Sequence, residues 1–406
     1  MADATASPAG RRLWPFGGTG EDAGPRAMRQ PAGLRLASAG FLTFWCLLAS
    51  FPLFWILVMS FKSPVDAFSP APGAVIFGPV TRARGDGLSI LGIVLWLVVL
   101  WGAVRVAKRV VPTLVPRLSF GGVAAFGWIL SGLAFAVGFV VVAFGILPLV
   151  LSVLDPVLGP LGEPILGLTG EHYRAVWVEN EFWRNFVNSL VVTVGVVTVS
   201  LTVGTLAGYG LARSGSVIAF WILIAALVFR ALPHSVLVAG YLPVFINSAE
   251  YLRPILGDAA PTLYGQPMAV IAVLVAINQP FTIWMLRSFF QSIPVDLDEA
   301  ARVDGCTHFQ AFRWVIMPVM WPGVITTGLF SFLLAYNDFL VTSLLLDAQN
   351  QTMVPAIASY FNRETTTTDQ VEAIAAAVSI TAPLFLLVMI FQRQIVSGLT
   401  AGAVKG

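Results

Sequence analysis

Charge is what this sequence has least of. Lys, Arg, Asp and Glu supply 11% of its 406 residues, against about 25% in soluble domains. Apolar residues make up 57%, and the mean hydropathy is +0.84. A chain of this length cannot hide so much apolar surface in one water-soluble core, so lipid is the solvent for most of it. A net charge of +2 excludes bulk attraction to nucleic acid. Cysteine is nearly absent: Cys46 falls in an apolar run and Cys306 in a charged stretch, which argues against a disulfide. His172, His234 and His308 lie far apart and show no metal-ligand spacing with either cysteine. The same scatter argues against a clustered catalytic set in a membrane enzyme. There is no Gly-x-x-x-x-Gly-Lys-Ser/Thr phosphate loop, so any nucleotide energy must come from another chain.

What the sequence has in quantity is long apolar runs. A helix needs about 20 such residues to span a bilayer, and eight candidate spans follow: 38–61, 88–104, 121–150, 188–212, 217–245, 267–286, 319–346 and 371–392. Residues 1–37, rich in Ala, Gly, Pro and Arg, read as a solvated tail. The run from Phe41 to Phe61 begins too deep and is too long for a cleaved signal, so it is expected to stay as an anchor. Lys and Arg are retained on the cytoplasmic side. With the tail inside and eight spans, 15 of the 23 basic residues fall inside, among them Arg105, Lys108, Arg109, Arg117, Arg213, Arg287, Arg302 and Arg313. This predicts an all-α, multi-pass protein with both termini in the cytoplasm.

The stretch 293–318 is the most informative polar segment. Asp296 three residues before Glu299 forms a capping-box pattern just after Pro294. Leu297 to Val303 then supplies about two helical turns, which Gly305 is suited to end in a left-handed conformation. Thr307 with Gln310 repeats the pattern and starts a second short helix, expected to end at Pro318. Ala300 and Ala301 leave room for close approach by another protein. Phe309, Phe312 and Ile316 recur at helical spacing as one apolar face. Asp296, Asp298, Glu299 and Asp304 gather negative charge that an anionic leaflet would repel. On the residues alone, a plain linker between two spans and a unit that docks a partner both remain open.

This stretch resembles the EAA loop of ABC-type importer permeases, whose pattern is Glu-Ala-Ala, three residues, Gly, nine residues, aliphatic, any, aliphatic, Pro. The matching residues are Glu299, Ala300, Ala301, Gly305, Val315, Met317 and Pro318. Val315 and Met317 stand where Ile and Leu are commoner. Asp304 fits the carbohydrate version of the loop. Asn188-Ser189-Leu190, Pro280-Phe281-x-x-Trp284, Tyr336-Asn337-Asp338-Phe339 and the ending Val396–Gly406 resemble the maltose-type second permease, in which Trp is usual at the position of Tyr336. The likeness covers about 38–66 and 167–406 and fails over roughly 75–160.

The resemblance implies a six-helix permease core, 167–406 with the first helix at 38–66, plus an inserted pair of transmembrane helices in 75–160. It implies one half of the translocation path for a sugar or oligosaccharide, with polyol or glycerol-type cargo as the alternative. The implied partners are a second permease, two copies of a cytoplasmic ATPase subunit that binds the ATP and Mg, an extracytoplasmic solute-binding protein, and the bilayer. No cofactor is expected in this chain. The ATPase-coupling residues would be Glu299, Ala300, Ala301, Asp304, Gly305, Phe309, Phe312 and Pro318.

Polar residues within apolar runs usually face a cavity. Asn278, Gln279, Asn337 and Asp338 are candidates for the translocation path, and Arg230 and His234 also fall in or near such runs. The competing reading is helix–helix hydrogen bonding, with Arg230 snorkelling toward an interface. Pro233, Pro280 and Pro383 are candidate kinks. A secondary transporter is the different-class alternative, but it would need mid-membrane coupling residues and repeated halves, and neither is evident.

Overall fold

The computed structural model describes residues 32–118, 132, 134–135, 137–139, 141–154, 157, 163–232, 234–362 and 366–403. The expected tail up to residue 31, most of the expected third span before residue 137, and Pro233 lie outside the described residues. The chain divides between Trp55 and Ile56 into two units. In the first, the described residues belong to helix α1 (Ala32–Met59), and Trp45 packs edge-on against Phe41 and Phe44. Its large apolar side chains, Phe41, Leu47 and Phe51 among them, are exposed, as a lipid-embedded surface would be.

The second unit continues from the last turn of α1 through three short helices, α2 (Pro64–Ala67), α3 (Pro72–Phe77) and α4 (Pro79–Ala83), each opened by a proline at a position that needs no backbone donor. Strand β1 (Leu88–Ser89) leads into α5 (Ile90–Leu118). The chain returns through a wide π-type stretch, Val141–Ile146, α6 (Leu147–Leu154) and β2 (Pro164–Leu166). β1 and β2 pair antiparallel, Leu88 opposite Leu166, so the excursion leaves and re-enters at one point. Residues 75–83, expected within the inserted segment, are instead fastened beside this base.

The fastening is a buried polar knot. Lys62, fully buried, donates its ammonium to the carbonyls of Ile76 and Gly167. The Asp66 carboxylate accepts from the Thr81 hydroxyl (2.7 Å), the Thr81 N–H (2.6 Å), the Val80 N–H and the Ser63 hydroxyl. Burial alone would push this carboxyl up, but those donors outweigh it and hold it below the ordinary value. Gly78 turns with φ +61°, and a Cβ there would meet the Gly167 carbonyl at 2.8 Å. Helix α7 (Glu171–Arg174) brings His172 Nε2 to 3.0 Å from the Lys62 carbonyl.

The bundle proper follows: α8 (Phe182–Ser214), α9 (Val217–Arg230), α10 (His234–Ile246), α11 (Ser248–Leu256), α12 (Pro267–Gln291), α13 (Asp296–Val303), α14 (His308–Ala311), α15 (Met317–Tyr336), α16 (Leu340–Leu345), α17 (Met353–Asn362) and α18 (Thr367–Ala403). Among the described residues, seven helices are long and apolar enough to cross a membrane: 36–59, 90–109, 137–154, 182–214, 267–291, 308–336 and 367–392. Eight continuous spans were expected, and two of them differ. The run 217–245 is two helices, α9 ending at Arg230 and α10 starting at His234. The run 319–346 ends as a helix at Tyr336. There Asn337 Nδ2 bonds back to the Leu333 carbonyl, and Asp338 Oδ1 accepts the Thr342 N–H at 3.0 Å to open α16.

Helices α8 and α12 form the most extensive pairing. Lipid gives helices no hydrophobic reason to associate, so close backbone approach and hydrogen bonding must do it. Ser200, Gly204 and Gly208 recur every fourth residue on α8. A Cβ at Gly204 would lie 2.6 Å from Thr282 Cγ2, and one at Gly208 would lie 3.1 Å from the Arg287 backbone nitrogen. Asn278 of α12 donates to Ser331 Oγ of α15 at 2.7 Å, bringing the third helix to the pair. Val192, Val196, Val273, Leu274 and Ile277 fill the space between them.

Gly204→Leu is therefore expected to overpack this seam by about 1–3 kcal/mol and lower the melting point of the detergent-solubilised protein. Gly240→Leu, where nothing stands within 4 Å of the new Cβ, should leave it unchanged. The knot predicts a pH effect. Burial holds the His172 imidazole below its ordinary 6.5, against the raising influence of Glu171 and the Lys62 carbonyl. The unfolded chain therefore binds the proton first, and stability falls as pH drops below that value. The melting point should fall between about pH 7.5 and about pH 5.5, and His172→Gln, which cannot titrate, should flatten part of that slope.

Candidate functional site

The 293–318 segment joins the end of α12 to the start of α15, and its geometry begins with how each turn is closed. α13 starts at Asp296 after the turn through Pro294, with Val295 in the capping position and no side-chain cap. The expected Asp296–Glu299 box is therefore not formed: Asp296 is already the first helical residue. The other end follows the glycine expectation. Gly305 has φ +90°; its N–H reaches the Arg302 carbonyl and the Cys306 N–H the Ala301 carbonyl, each at 3.0 Å. This pair of bonds is the Schellman closure, open only to a residue that tolerates positive φ. The second capping box is complete: Gln310 N–H donates to Thr307 Oγ1 at 3.3 Å, and Thr307 N–H donates to Gln310 Oε1 at 2.8 Å.

The second short helix does not end at Pro318. It runs on as one helix, 308–336, through a wide π-type turn at Phe312–Ile316. Proline lacks an N–H and clashes with the carbonyl four residues back, and a widened turn just before it accommodates both defects. The loop is thus continuous with a membrane span through a stiff helix.

Its faces divide differently from the sequence pattern. Glu299, Ala300, Asp304, Gly305 and Pro318 are exposed, and Phe309 is 65% exposed. Ala301, at 5%, and Phe312 point inward, so Ala301 does not offer the close approach expected of it. Phe312 and Ile316 pack with Leu286, Phe290, Ile293 and Met320, while Phe309 stays outside with its ring 6.4 Å from that of Phe312. The expected three-residue face is therefore two buried rungs and one outward ring.

The feature that sequence reading missed is the fastening. Asp298, expected among the exposed acids, is buried beneath α13. Its Oδ2 accepts from Arg213 Nε at 2.8 Å and its Oδ1 from the Tyr209 hydroxyl at 2.6 Å. The side chains of Arg213 and Asp298 are 17% and 12% exposed. The remaining Arg213 nitrogens reach the Ile293 carbonyl at 3.3 Å and the Phe290 carbonyl at 3.4 Å. One guanidinium thus ties the last turn of α8, the Phe290 carbonyl at the end of α12, the Ile293 carbonyl in the turn beyond it and the first turn of α13. Beside it lies a cavity of about 300 Å³ lined by Tyr209, Arg213, Asp298, Glu299, Arg302 and His308. The one available signal was Asp298 at the third position of a helix start, but its partner lies 85 residues away.

The four path candidates fall into two sets. Asn278 is buried against Ser331. Gln279 donates to the Ser200 carbonyl, and its Oε1 is buried with no protein partner at the edge of an apolar groove of about 740 Å³ between α8, α9 and α12. Asn337 and Asp338 cap the helix ends described above, roughly 9 Å further along α15 than Ser331. Among the described residues, no three His, Cys, Asp or Glu side chains cluster as metal ligands.

Residues 200–400 match the family described as binding-protein-dependent transport system inner membrane component. The chain is 34% identical over 241 residues to the diacetylchitobiose uptake system permease protein DasC of Streptomyces coelicolor, covering 59% of this chain and 82% of that one. It is 32% identical over 240 residues to the trehalose transport system permease protein SugB of Mycobacterium tuberculosis, covering 59% and 83%. A chain of a bacterial ABC transporter for import of the polysaccharide alginate superposes with a TM-score of 0.54 at 15% identity, over 90% of this chain and 98% of that one. At that identity the likeness shows the fold.

The Arg213–Asp298 pair carries a test. Removing one partner of a buried pair strands the other charge, at about 3–5 kcal/mol. Arg213→Met or Asp298→Leu alone should expose 293–318 to limited proteolysis, whereas the double variant should be cleaved less than the sum of the two. Additive effects would mean the two charges act independently.

Proposed function

The chain belongs to the family of binding-protein-dependent transport system inner membrane components, and from that membership we propose that it forms one half of the translocation pathway of an ATP-driven sugar or oligosaccharide importer. It is a multi-pass inner-membrane permease subunit. Its relatives named above carry diacetylchitobiose and trehalose, both oligosaccharides, which supports a cargo of that class. A second, similar permease completes the pathway, and an extracytoplasmic binding protein delivers the cargo. Two cytoplasmic ATPase subunits bind ATP and Mg and hydrolyse the nucleotide. Both termini and the 293–318 loop lie in the cytoplasm, with α9 and α10 together making one interrupted crossing that brings the spans to eight, in keeping with the distribution of Lys and Arg.

One observation carries the coupling role: a short helix and its closing turn, presenting Glu299, Ala300, Asp304 and Gly305 outward, are clamped by Arg213 at the ends of two spans, and the next helix, from His308, runs into a third span through Pro318. A push on that exposed face is transmitted to α8, α12 and α15 as a rigid-body displacement. Glu299 supplies a charged contact to a basic groove of the ATPase, and Phe309 an apolar one. The path itself is assigned to the interface that holds Asn278 and Gln279, with Asn337 and Asp338 at its far end.

Reconstitution with the ATPase subunits, the second permease and the binding protein tests this reading. ATP hydrolysis should rise with a binding-protein-delivered oligosaccharide, in a panel that also contains monosaccharides and polyols. Glu299→Lys and Gly305→Asp should abolish that stimulation and the uptake while leaving insertion intact. Nothing stands within 4 Å of a Cβ at Gly305, but any side chain at φ +90° strains the backbone of the turn. Loss of coupling in Glu299→Lys, on an exposed face, therefore reports on docking, and in Gly305→Asp it does so when Gly305→Ala, equally strained but uncharged, keeps coupling; normal uptake by both Glu299→Lys and Gly305→Asp would sink the coupling role.

A further inference from the structure

The inserted hairpin has an unusual charge balance. Between Asp86 and Asp155 there is no acidic residue, and its basic residues are Arg105, Lys108, Arg109 and Arg117, all within one short stretch. Helix α5 starts beside the β1–β2 ladder and is apolar from Ile90 to Val104. At 1.5 Å per residue, Arg105 lies about 22 Å and Arg109 about 28 Å along the axis from Ile90, against a hydrocarbon thickness of about 30 Å. Allowing for snorkelling, these cations emerge at headgroup depth on the side opposite the ladder.

Their arrangement is also suited to phosphate. Arg105, Lys108 and Arg109 stand at i, i+3 and i+4, so they share one face of α5. Trp101, one turn earlier, lies under the Arg105 guanidinium with the ring centre 4.3 Å away. Trp101, Arg105, Lys108 and Arg109 are all exposed, and only 6% of the apolar window of this helix is buried within the chain. An indole at the interface with a stacked arginine above it fixes the fork where phosphate oxygens lie, and the guanidinium binds such oxygens through two parallel N–H donors.

We propose that Arg105, Lys108 and Arg109 form a binding surface for the phosphate headgroups of anionic phospholipid in the cytoplasmic leaflet. The leaflet rests on the topology given under the proposed function; the headgroup contact does not. Lipid is the favoured occupant because the basic face continues an apolar surface that the described residues leave uncovered, so lipid phosphates meet it without further structure. An ATPase subunit would need a matching acidic surface that reaches this face. Each cation is worth about a fivefold preference for anionic lipid near the surface, screened by salt.

The whole assembly, purified in mild detergent and offered equal phosphatidylglycerol and phosphatidylcholine, should retain phosphatidylglycerol in excess by native mass spectrometry. The excess should fall at least about tenfold in R105Q/K108Q/R109Q, and in the unsubstituted protein at about 0.5 M salt. Equal retention by the triple variant would overturn the proposal. So would unchanged lipid retention combined with loss of the ATPase subunit, which would make the face a protein contact. The leaflet is read separately. With Cys46 and Cys306 replaced by Ser, a probe introduced as Ser119→Cys should react with a membrane-impermeant maleimide only from the cytoplasmic side. Labelling from outside would refute the topology and leave the headgroup result standing on its own.

Discussion

The Arg213 guanidinium is the point on which the loop end of the bundle depends. Carbonyls at the end of a helix and in the turn beyond it need partners, and the Phe290 carbonyl in the last turn of α12 and the Ile293 carbonyl just past it face Arg213 rather than open water. The same group neutralises Asp298, which would otherwise be a buried anion, and Tyr209 takes up its other oxygen. Arginine suits this place because its planar fork can serve a carboxylate and two carbonyls at once; a lysine would supply a point charge without that geometry. Without this tie, α13 would keep only its backbone link to α12 and its packing on the 308–316 turns, and a force on it would bend the connection more readily. With it, α13 moves with α8 and α12.

Rigidity further along the path has a different origin. Water cannot drive the helices together inside lipid, so α8 and α12 approach through absent side chains at Gly204 and Gly208 and through the buried hydrogen bond from Asn278 to Ser331. Close packing of this kind permits sliding or tilting of whole helices more readily than local deformation. The π-type turn at Phe312–Ile316 sits where the loop helix becomes a span, and the proline after it makes that turn a fixed feature of the joint. A permease that changes access between the two sides of a membrane needs this division: stiff elements joined at a few defined places.

The parts of this arrangement legible in the sequence were those set by local chemistry. Composition gave membrane residence. Gly305 and the Thr307–Gln310 box were readable because a turn's requirements lie within a few residues of it. The Asp296–Glu299 box failed on equally local grounds: Pro294 already bends the chain, and Asp296 enters the helix rather than capping it. Which side of each helix is covered was not legible. Ala301 and Phe312 carry no mark that distinguishes them from Ala300 and Phe309, Asp298 carries only its place at a helix start, and most of the residues that cover Asp298 and Phe312 come from α8 and α12. The four-residue repeat of Ser200, Gly204 and Gly208 was visible, but small residues in apolar helices are common enough that only the partner helix gives them meaning. Pro233 signalled a break in 217–245, yet hydropathy averaged over a window passes across a single proline.

The inserted hairpin shows how such a fold accepts extra spans. The chain before and after the excursion is already joined: Thr169 N–H bonds to the Phe61 carbonyl at 2.7 Å, Gly167 N–H to the Phe77 carbonyl at 2.9 Å, and His172 to the carbonyl of Lys62. Because the base is closed by β1 and β2, lengthening what lies beyond adds little loop-closure entropy, and the α8–α12–α15 contacts keep their register. The requirement falls instead on the crossing point. Gly78 must hold a positive φ, and at Gly87 even a methyl group would run into the Leu166 carbonyl. Insertion at this site is therefore tolerated by the bundle but strictly conditioned at its neck. That is why the hairpin can carry chemistry of its own at the far end of α5, away from the neck.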